Sequence, residues 1–135
     1  MPTGQTKDAG WEIGVSTTLA APVDHLWELL TSPEGLALWL GTLDRLPTEA
    51  GDAYETAEGT VGEIRSHHER HRVRLTWRPK DWDHATTLQL TVTQAADPAK
   101  TRLGIHQEHL ADGEERERQR THWQNVAAAL EQALA

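Results

Sequence analysis

The last stretch of the chain, Asp112 to Ala135, constrains the fold most because it has the pattern of one long helix. Asp112 is suited to cap its first turn, and Glu115, three residues later, completes a capping-box pattern. Ala, Leu, Glu, Gln and Arg dominate the stretch, and no proline interrupts it. At 1.5 Å per residue the helix is about 33 Å long, enough to cross a small domain. The rest of the chain must therefore supply a surface on which this helix packs.

The predicted buried stripe of this helix changes from polar to apolar along its length. The first half of the stripe carries Arg116 and then either Gln119 or Arg120. The residues of the second half are apolar: Trp123, Val126, Ala127, Leu130 and Leu134. The apolar half indicates core packing. The polar half either faces a space that contains polar groups or extends into water, and the helix pattern does not decide between the two.

Composition limits the class of protein. A chain of 135 residues with 37% hydrophobic and 25% charged residues suits one domain, which we place at residues 11–135 after a flexible arm over residues 1–10. The absence of cysteine excludes disulfides and zinc sites built on sulfur. The net charge of −8 argues against general nucleic-acid binding. With no apolar signal segment and no run of about 20 apolar residues, a cytoplasmic protein without a membrane partner is expected.

The remainder of the chain predicts a sheet with two helices near its start. Short helices are predicted to begin at Pro22 and at Ser32-Pro33. Strands are predicted over residues 11–19, 60–67, 72–78, 86–94 and 101–110, with weaker patterns over 43–46 and 53–56. This order predicts an α+β domain in which a curved antiparallel sheet of about six to seven strands wraps on the long C-terminal helix.

Short motifs distributed along the chain carry a family resemblance. They are Ala21-Pro22-Val23, Trp27, Ser32-Pro33-Glu34, Trp39-Leu40-Gly41, Leu75-Thr76-Trp77, Thr101-Arg102-Leu103 and Trp123. On these residues the chain resembles the START-like, or helix-grip, superfamily (the SRPBCC group). Within it, the chain looks like the homologues of the ATPase activator of the ninety-kilodalton heat-shock chaperone. The motifs are mainly structural, so the resemblance implies the fold more than the activity. It also implies that an apolar or amphipathic ligand is held between the long helix and the sheet.

The predicted strand pairing places a cavity at the same position. Gln107 and His109 are expected at the polar end of the inward face of the last strand, with Gln107 opposite Leu88 and Leu88 opposite Trp77. The polar half of the helix is expected to lie over them. The candidate ligand-binding residues are Trp39, Trp77, Trp82, Leu88, Leu90, Ile105, Gln107, His109, Arg116, Gln119, Arg120 and Trp123. Two alternatives stay open: the tryptophans fill the space, or a one-residue slip turns Gln107 and His109 outward.

Other candidate sites are weaker. His67, His68 and His71 lie near a predicted hairpin turn, but adjacent histidines on a strand point to opposite faces. The stretch His68-Glu69-Arg70-His71 lacks one residue of the zinc-protease spacing. We therefore predict no metal site and no cofactor. His106 is expected to face outward, and the arginines of strand 72–78 are expected to pair with neighbouring carboxylates, the alternative being a docking surface for an acidic protein.

The function expected from this reasoning is non-catalytic binding of an apolar or amphipathic small molecule. Gln107, His109 and a helix arginine would orient it, and the arginine favours an anionic head group. One alternative is a co-chaperone-like stress-response module that binds a chaperone or itself. The activators that the chain resembles carry a further domain before this fold, so direct chaperone activation is not the first expectation. The other alternative is a cyclase or hydrolase with His109 as general base near Arg116, which is not favoured because no catalytic set accompanies it.

Overall fold

A computed structural model describes residues 5–6 and 10–135, and in these ranges the chain forms one antiparallel sheet and three helices. The strands are β1 (Gln5–Thr6), β2 (Gly10–Leu19), β3 (Ala53–Glu55), β4 (Val61–His68), β5 (Arg72–Trp77), β6 (Thr86–Gln94) and β7 (Thr101–Leu110). The helices are α1 (Val23–Thr31), α2 (Pro33–Trp39) and α3 (Gly113–Leu134). The seven strands have the order β1-β2-β7-β6-β5-β4-β3, which confirms the predicted α+β helix-grip architecture.

The long C-terminal helix begins and packs as predicted. The Asp112 side chain accepts a hydrogen bond from the Glu115 backbone N–H at 2.8 Å, which caps the first turn of α3. Gln119, rather than Arg120, continues the buried stripe into the polar half of the helix. The sheet curves around α3, and the core lies between them.

The two short helices also follow the sequence signals. Pro22 precedes α1, which buries the face formed by Leu26, Trp27 and Leu30. The Ser32 hydroxyl accepts a hydrogen bond from the Gly35 N–H at 3.1 Å and caps α2. A Cβ at Gly35 would lie 1.7 Å from the Leu29 carbonyl oxygen, so glycine is required where α2 folds back against α1.

Two local predictions have different outcomes in the structure. The weak strand pattern over residues 43–46 is wrong, because that segment is a loop in which Leu46 alone is deeply buried, at 6% exposure. One anchoring side chain places this loop on the core without strand pairing. Of the predicted arm, residues 1–4 and 7–9 lie outside the described residues, whereas Gln5–Thr6 forms the edge strand β1.

The strand register confirms one predicted pairing and corrects another. Leu88 lies opposite Gln107, as expected. On its other side, however, Leu88 lies opposite Leu75, and Trp77 lies opposite Thr86. The Thr86 hydroxyl donates to the Trp77 carbonyl at 2.9 Å and ties the two strand ends together. The register between β5 and β6 is therefore shifted by two residues from the predicted one.

The predicted inward orientation of His109 is wrong because β7 contains a bulge. Ile13 pairs with Gln107 but Trp11 pairs with Leu110, so β7 has one residue more than β2 in this interval. His109 is at this extra position, with a φ of +68°, and its side chain is 48% exposed. Leu110 occupies the next inward position at 3% exposure.

In the described part of the chain, no helix has the length and apolar character needed to cross a bilayer.

Candidate functional site

The centre of the seam between α3 and the sheet is filled by the protein's own side chains. The Trp123 indole N–H donates to Gln107 Oε1 at 2.8 Å, and Gln107 Nε2 donates to the Thr86 hydroxyl at 2.8 Å. The five predicted ligand-binding residues at this position are 0–2% exposed: Leu88, Leu90, Ile105, Gln107 and Trp123. Gln107 faces inward as predicted, but its polar groups bind Trp123 and Thr86.

A cleft of about 330 Å³ opens beside this filled centre, between α2, α3 and the turn before β4. We call it the α2–α3 cleft, and it is lined by Ala37, Leu38, Trp39, Leu40, Gly41, Glu58, Thr60, Trp77 and His122. Two predicted ligand-binding residues, Trp39 and Trp77, form part of its wall. Gly41 has φ +145°, and a Cβ there would lie 2.7 Å from the Thr56 side chain, so a larger residue would crowd this edge.

The two indole N–H groups of the cleft differ in their hydrogen bonding. Trp39 Nε1 donates to the Leu30 carbonyl at 2.8 Å. Trp77 is 6% exposed, yet its Nε1 has no hydrogen-bond partner among the described residues. An unpaired buried donor costs about 1–3 kcal/mol, so most such groups in folded proteins have a partner. The Trp77 N–H is therefore a candidate donor to an acceptor atom of a bound molecule.

Two titratable groups stand at the rim of the cleft. Hydrogen bonds from the Thr42 hydroxyl and backbone N–H, at 2.5 and 2.7 Å, hold the pKa of Glu58 below its ordinary value. His122 has exposed surface, but its ring lies 4.5 Å from the Trp123 ring and 6.2 Å from the Trp77 ring, and desolvation lowers its pKa. At neutral pH the rim thus carries one negative charge and a neutral imidazole, which does not favour the anionic head group expected from the sequence.

The other predicted residues lie outside the α2–α3 cleft. Trp82 packs edge-on against Trp77, with ring centroids 5.3 Å apart. Gln119 is 8% exposed, and its Oε1 has no partner within the described chain. Arg116 donates through Nε to the Glu12 carbonyl at 2.8 Å, and Arg120 is exposed. With His109 turned to the outer face, the polar groups predicted to orient a ligand do not come together.

A histidine that the sequence did not single out lies between two carboxylates near the start of α3. His84 Nδ1 lies 2.7 Å from Asp83 Oδ1, and His84 Nε2 lies 2.6 Å from Glu115 Oε1. The hydrogen bond to Asp83 is the largest cause of the raised pKa of His84. Because both ring nitrogens are engaged, the imidazole is a link between a loop and a helix rather than a free general base. The capping-box pattern pointed to Glu115 only as a cap.

Two larger grooves of about 420 Å³ each lie along the loop that contains Leu46 and Thr48. The first is completed by loop and strand-edge residues: Arg45, Pro47, Asp52 and Ala53. The second is completed by Trp27, Thr31, His67 and Glu69. The described residues of these grooves include no buried side-chain donor or acceptor without a partner. Trp77 gives the α2–α3 cleft such a group, and we therefore regard the smaller cleft as the stronger candidate site.

Comparisons with known proteins agree with this fold. DynU16, from the dynemicin biosynthetic locus, has a TM-score of 0.76 at 23% identity over 91% of this chain, which spans 46% of the DynU16 chain. CalU16 from Micromonospora echinospora has a TM-score of 0.76 at 17% identity, with coverage of 96% and 79%. PFC0360w, an HSP90 activator from Plasmodium falciparum, has a TM-score of 0.76 at 20% identity, with coverage of 93% and 96%. These identities establish a shared fold alone.

No curated protein gives a significant sequence match to this chain. The family described as "Activator of Hsp90 ATPase homolog 1-like protein" matches residues 20–135, which include α1 to α3 and all of the α2–α3 cleft. The chain therefore belongs to the Activator of Hsp90 ATPase homolog 1-like family.

Proposed function

We propose that this domain binds a small aromatic molecule in the α2–α3 cleft. The observation that carries the proposal is that Trp77 lines a cleft of about 330 Å³ and that its buried indole N–H has no hydrogen-bond partner among the described residues. Ligand sites in proteins are typically apolar cavities of roughly 300–1,000 Å³ with a few placed polar groups. The cleft lies at the small end of that range, so it suits a compact ligand rather than a long lipid chain.

The lining of the cleft indicates the chemistry of the ligand. Trp39 and Trp77 present aromatic surface, on which a planar ring or a cation is well accommodated. The Trp77 N–H calls for an acceptor atom such as a carbonyl oxygen. The Glu58 carboxylate at the rim favours a cationic or hydrogen-bond-donating substituent and disfavours an anionic one. This reverses the charge of the head group that the sequence suggested.

A matched set of three probes tests this chemistry. Benzamide is neutral, 4-(aminomethyl)benzamide adds a cation, and 4-carbamoylbenzoate adds an anion to the same ring and carbonyl. Titration of ¹⁵N-labelled protein follows each indole N–H separately by NMR, so the six tryptophans are resolved. We expect the cationic probe to shift the Trp77 and Trp39 signals saturably, with the anionic probe weakest. The signal of Trp11, which does not line the cleft, should stay unchanged.

Variants connect the binding to named groups. Trp77→Phe keeps the ring but removes the N–H, and the loss of one neutral hydrogen bond predicts about 2- to 10-fold weaker binding. Glu58→Gln should remove the preference for the cationic probe while binding benzamide unchanged. Trp82→Phe is the matched control, because Trp82 packs on Trp77 outside the cleft. The proposal fails if no probe shifts Trp77 up to about 10 mM, which corresponds to a binding free energy weaker than about −3 kcal/mol.

A second candidate is a protein-interaction role. It is favoured by the family, which includes activators of the Hsp90 ATPase, and by the near-complete mutual coverage with the P. falciparum activator. A pull-down with purified Hsp90, together with measurement of its ATPase rate, distinguishes the two. Binding to the chaperone that survives Trp77→Phe and saturation with 4-(aminomethyl)benzamide would place the interaction on another surface. The cyclase or hydrolase alternative is not supported, because the proposed base His109 is 48% exposed and lies 4.0 Å from Glu108 Oε2.

A further inference from the structure

The outer face of the sheet, which points away from α3, carries a separate cluster of side chains that bind metals in other proteins. Glu12 comes from β2, and His106 and Glu108 come from the neighbouring strand β7. One ligand atom from each residue lies within 4.8 Å of the other two. Their side chains are 30%, 36% and 18% exposed, so the cluster is reachable from solvent but partly shielded by the sheet.

The distances in this cluster are too long for ordinary hydrogen bonds. His106 Nε2 lies 3.7 Å from Glu12 Oε2, and His106 Nδ1 lies 3.5 Å from Glu108 Oε1. Hydrogen bonds between such groups are about 2.7–3.2 Å long. Two ligand atoms that are each about 2.1 Å from a tetrahedral zinc ion lie about 3.4 Å apart. The 3.7 Å and 3.5 Å distances involve different nitrogens of the ring, so only one of them can belong to a single metal site. One ligand atom from each residue lies within 4.8 Å of the other two, and a turn of the imidazole that directs one nitrogen toward both carboxylates leaves room for an ion.

Neighbouring groups hold the carboxylates in place. Arg74 Nη2 lies 3.3 Å from Glu108 Oε2, which leaves Glu108 Oε1 directed toward His106. Arg116 donates to the Glu12 carbonyl and fixes this position of β2 beside the bulge. Partners of this kind orient metal ligands and affect metal affinity. The positive charge of Arg74 also opposes a cation, so the site is suited to moderate rather than very tight binding.

The surface next to His106 has space for the remaining ligands of a metal. A groove of about 340 Å³ on the outer face is lined by His106 together with Gly14, Val15, Ser16, Gln89, Thr91, Gly104 and Ile105. Gly14 and Gly104 contribute no side chain to fill it. A Cβ at Gly104 would lie 2.6 Å from the Thr91 hydroxyl oxygen. Water or a small anion can occupy this groove beside the imidazole.

We propose that Glu12, His106 and Glu108 bind a divalent transition-metal ion of the zinc class on the outer face of the sheet. One imidazole nitrogen and two carboxylates are a nitrogen–oxygen ligand set that Zn²⁺ accepts, with at least one position left for water. The ion joins β2 to β7 next to the His109 bulge. The site is independent of the α2–α3 cleft, which lies on the other side of the sheet.

Calorimetric titration of tag-free protein with Zn²⁺ tests the site. We expect one equivalent to bind to the wild type and affinity to fall at least tenfold in His106→Gln and in Glu12→Gln. His68→Gln is the matched control, because His68 is an exposed histidine at the far hairpin, and it should bind like the wild type. Because all three substitutions are near the surface, urea unfolding without metal confirms that each variant is folded.

A paramagnetic ion locates the binding directly. Substoichiometric Co²⁺ should broaden the amide signals of β2 and β7 around Glu12 and His106 and leave those of the 68–71 turn sharp. The proposal is overturned if the wild type binds no Zn²⁺ up to about 1 mM, an affinity of about −4 kcal/mol. It is also overturned if His68→Gln loses as much affinity as His106→Gln, or if the broadening centres on the hairpin turn.

Discussion

At the scale of single residues, Gln107 decides how the interior is organised. Its side-chain oxygen accepts from Trp123 and its nitrogen donates to Thr86, so an amide at 0% exposure has partners at both ends. Thr86 in turn donates to the Trp77 carbonyl. This chain of hydrogen bonds joins α3 to β7, β6 and β5. A buried amide with these partners specifies how α3 sits on the sheet, whereas apolar contacts alone would allow it to slide.

The stability losses from removing two members of this network should not add. Trp123→Phe leaves Gln107 Oε1 buried and unpaired, which predicts a loss of about 1–3 kcal/mol in the free energy of unfolding, with a further loss from the smaller ring. Gln107→Leu leaves the Trp123 N–H unpaired at a similar cost. In the double variant neither polar group remains, so its loss should be smaller than the sum of the two single losses.

Urea unfolding of the four proteins measures this coupling. Trp82→Phe is a control for tryptophan removal at a position that is partly buried and outside the network. Strict additivity of the two single losses would show that Trp123 and Gln107 do not depend on each other.

At the scale of secondary-structure elements, the alternation of apolar and polar residues predicted the observed bounds of β6 and β7. Within β7 it gave the wrong side-chain orientation at one residue, His109. Leu103, Ile105 and Gln107 face inward as their spacing indicates. The bulge then adds a residue, and Leu110 takes the inward position assigned to His109. Alternation carries no signal for such an insertion, because its cause is the pairing with β2 and not the composition of β7.

The positive φ of His109 predicts that glycine at this position is more stable than alanine. A φ of +68° is unfavourable for residues with a Cβ by about 1–2 kcal/mol. Alanine removes the imidazole but keeps this cost, and glycine removes both. We therefore expect His109→Gly to be more stable than His109→Ala by about 1 kcal/mol in urea unfolding, despite the larger entropy of glycine in the unfolded chain. If alanine is the more stable of the two, the bulge does not persist in solution.

The candidate site was predictable in its aromatic part and not in its polar part. Trp39 and Trp77 lie on elements with clear periodicity, so their inward direction followed from the sequence. Glu58 reaches the cleft from a turn that has no periodicity, and its bonds to Thr42 span sixteen residues of chain. His122 lies beside the buried stripe of α3 rather than on it, so its position against Trp77 depends on how the helix rests on the sheet.

At the scale of the whole molecule, α3 is attached to the sheet in two different ways. The second half packs through apolar side chains such as Val126 and Leu130. The start of the helix is joined to the β5–β6 loop by the His84 link to Glu115, a residue that is 6% exposed. In a protein with a net charge of −8, a cation placed between two carboxylates stabilises the folded state because it reduces the repulsion between negative charges. The strength of this link therefore depends on the protonation of one imidazole.

Stability should consequently depend on pH through His84. Its pKa is raised above the ordinary 6.5, first by the hydrogen bond to Asp83 and then by Glu115, so the folded state holds this proton more tightly than the unfolded state. The contribution is fully present below pH 6.5 and is lost as the pH rises through the raised pKa. The pKa of Asp83 is lowered below 3.8. The contribution of Asp83 to stability is therefore present above pH 3.8 and lost as the pH falls through the lowered pKa.

The difference in melting temperature between wild type and His84→Gln isolates this effect. The lowered pKa values of His67 and His122 favour folding at higher pH, but both proteins contain these residues, so their contributions cancel. Across a series from about pH 5 to about pH 9, which brackets the titration of histidine, we expect the advantage of the wild type to be largest near the acidic end and to decline toward the alkaline end. His25→Gln, at an exposed position on α1, should give a difference that does not follow this course. An advantage that is constant or grows with pH would mean that His84 joins the loop to α3 as a neutral imidazole, held by hydrogen-bond geometry rather than by charge.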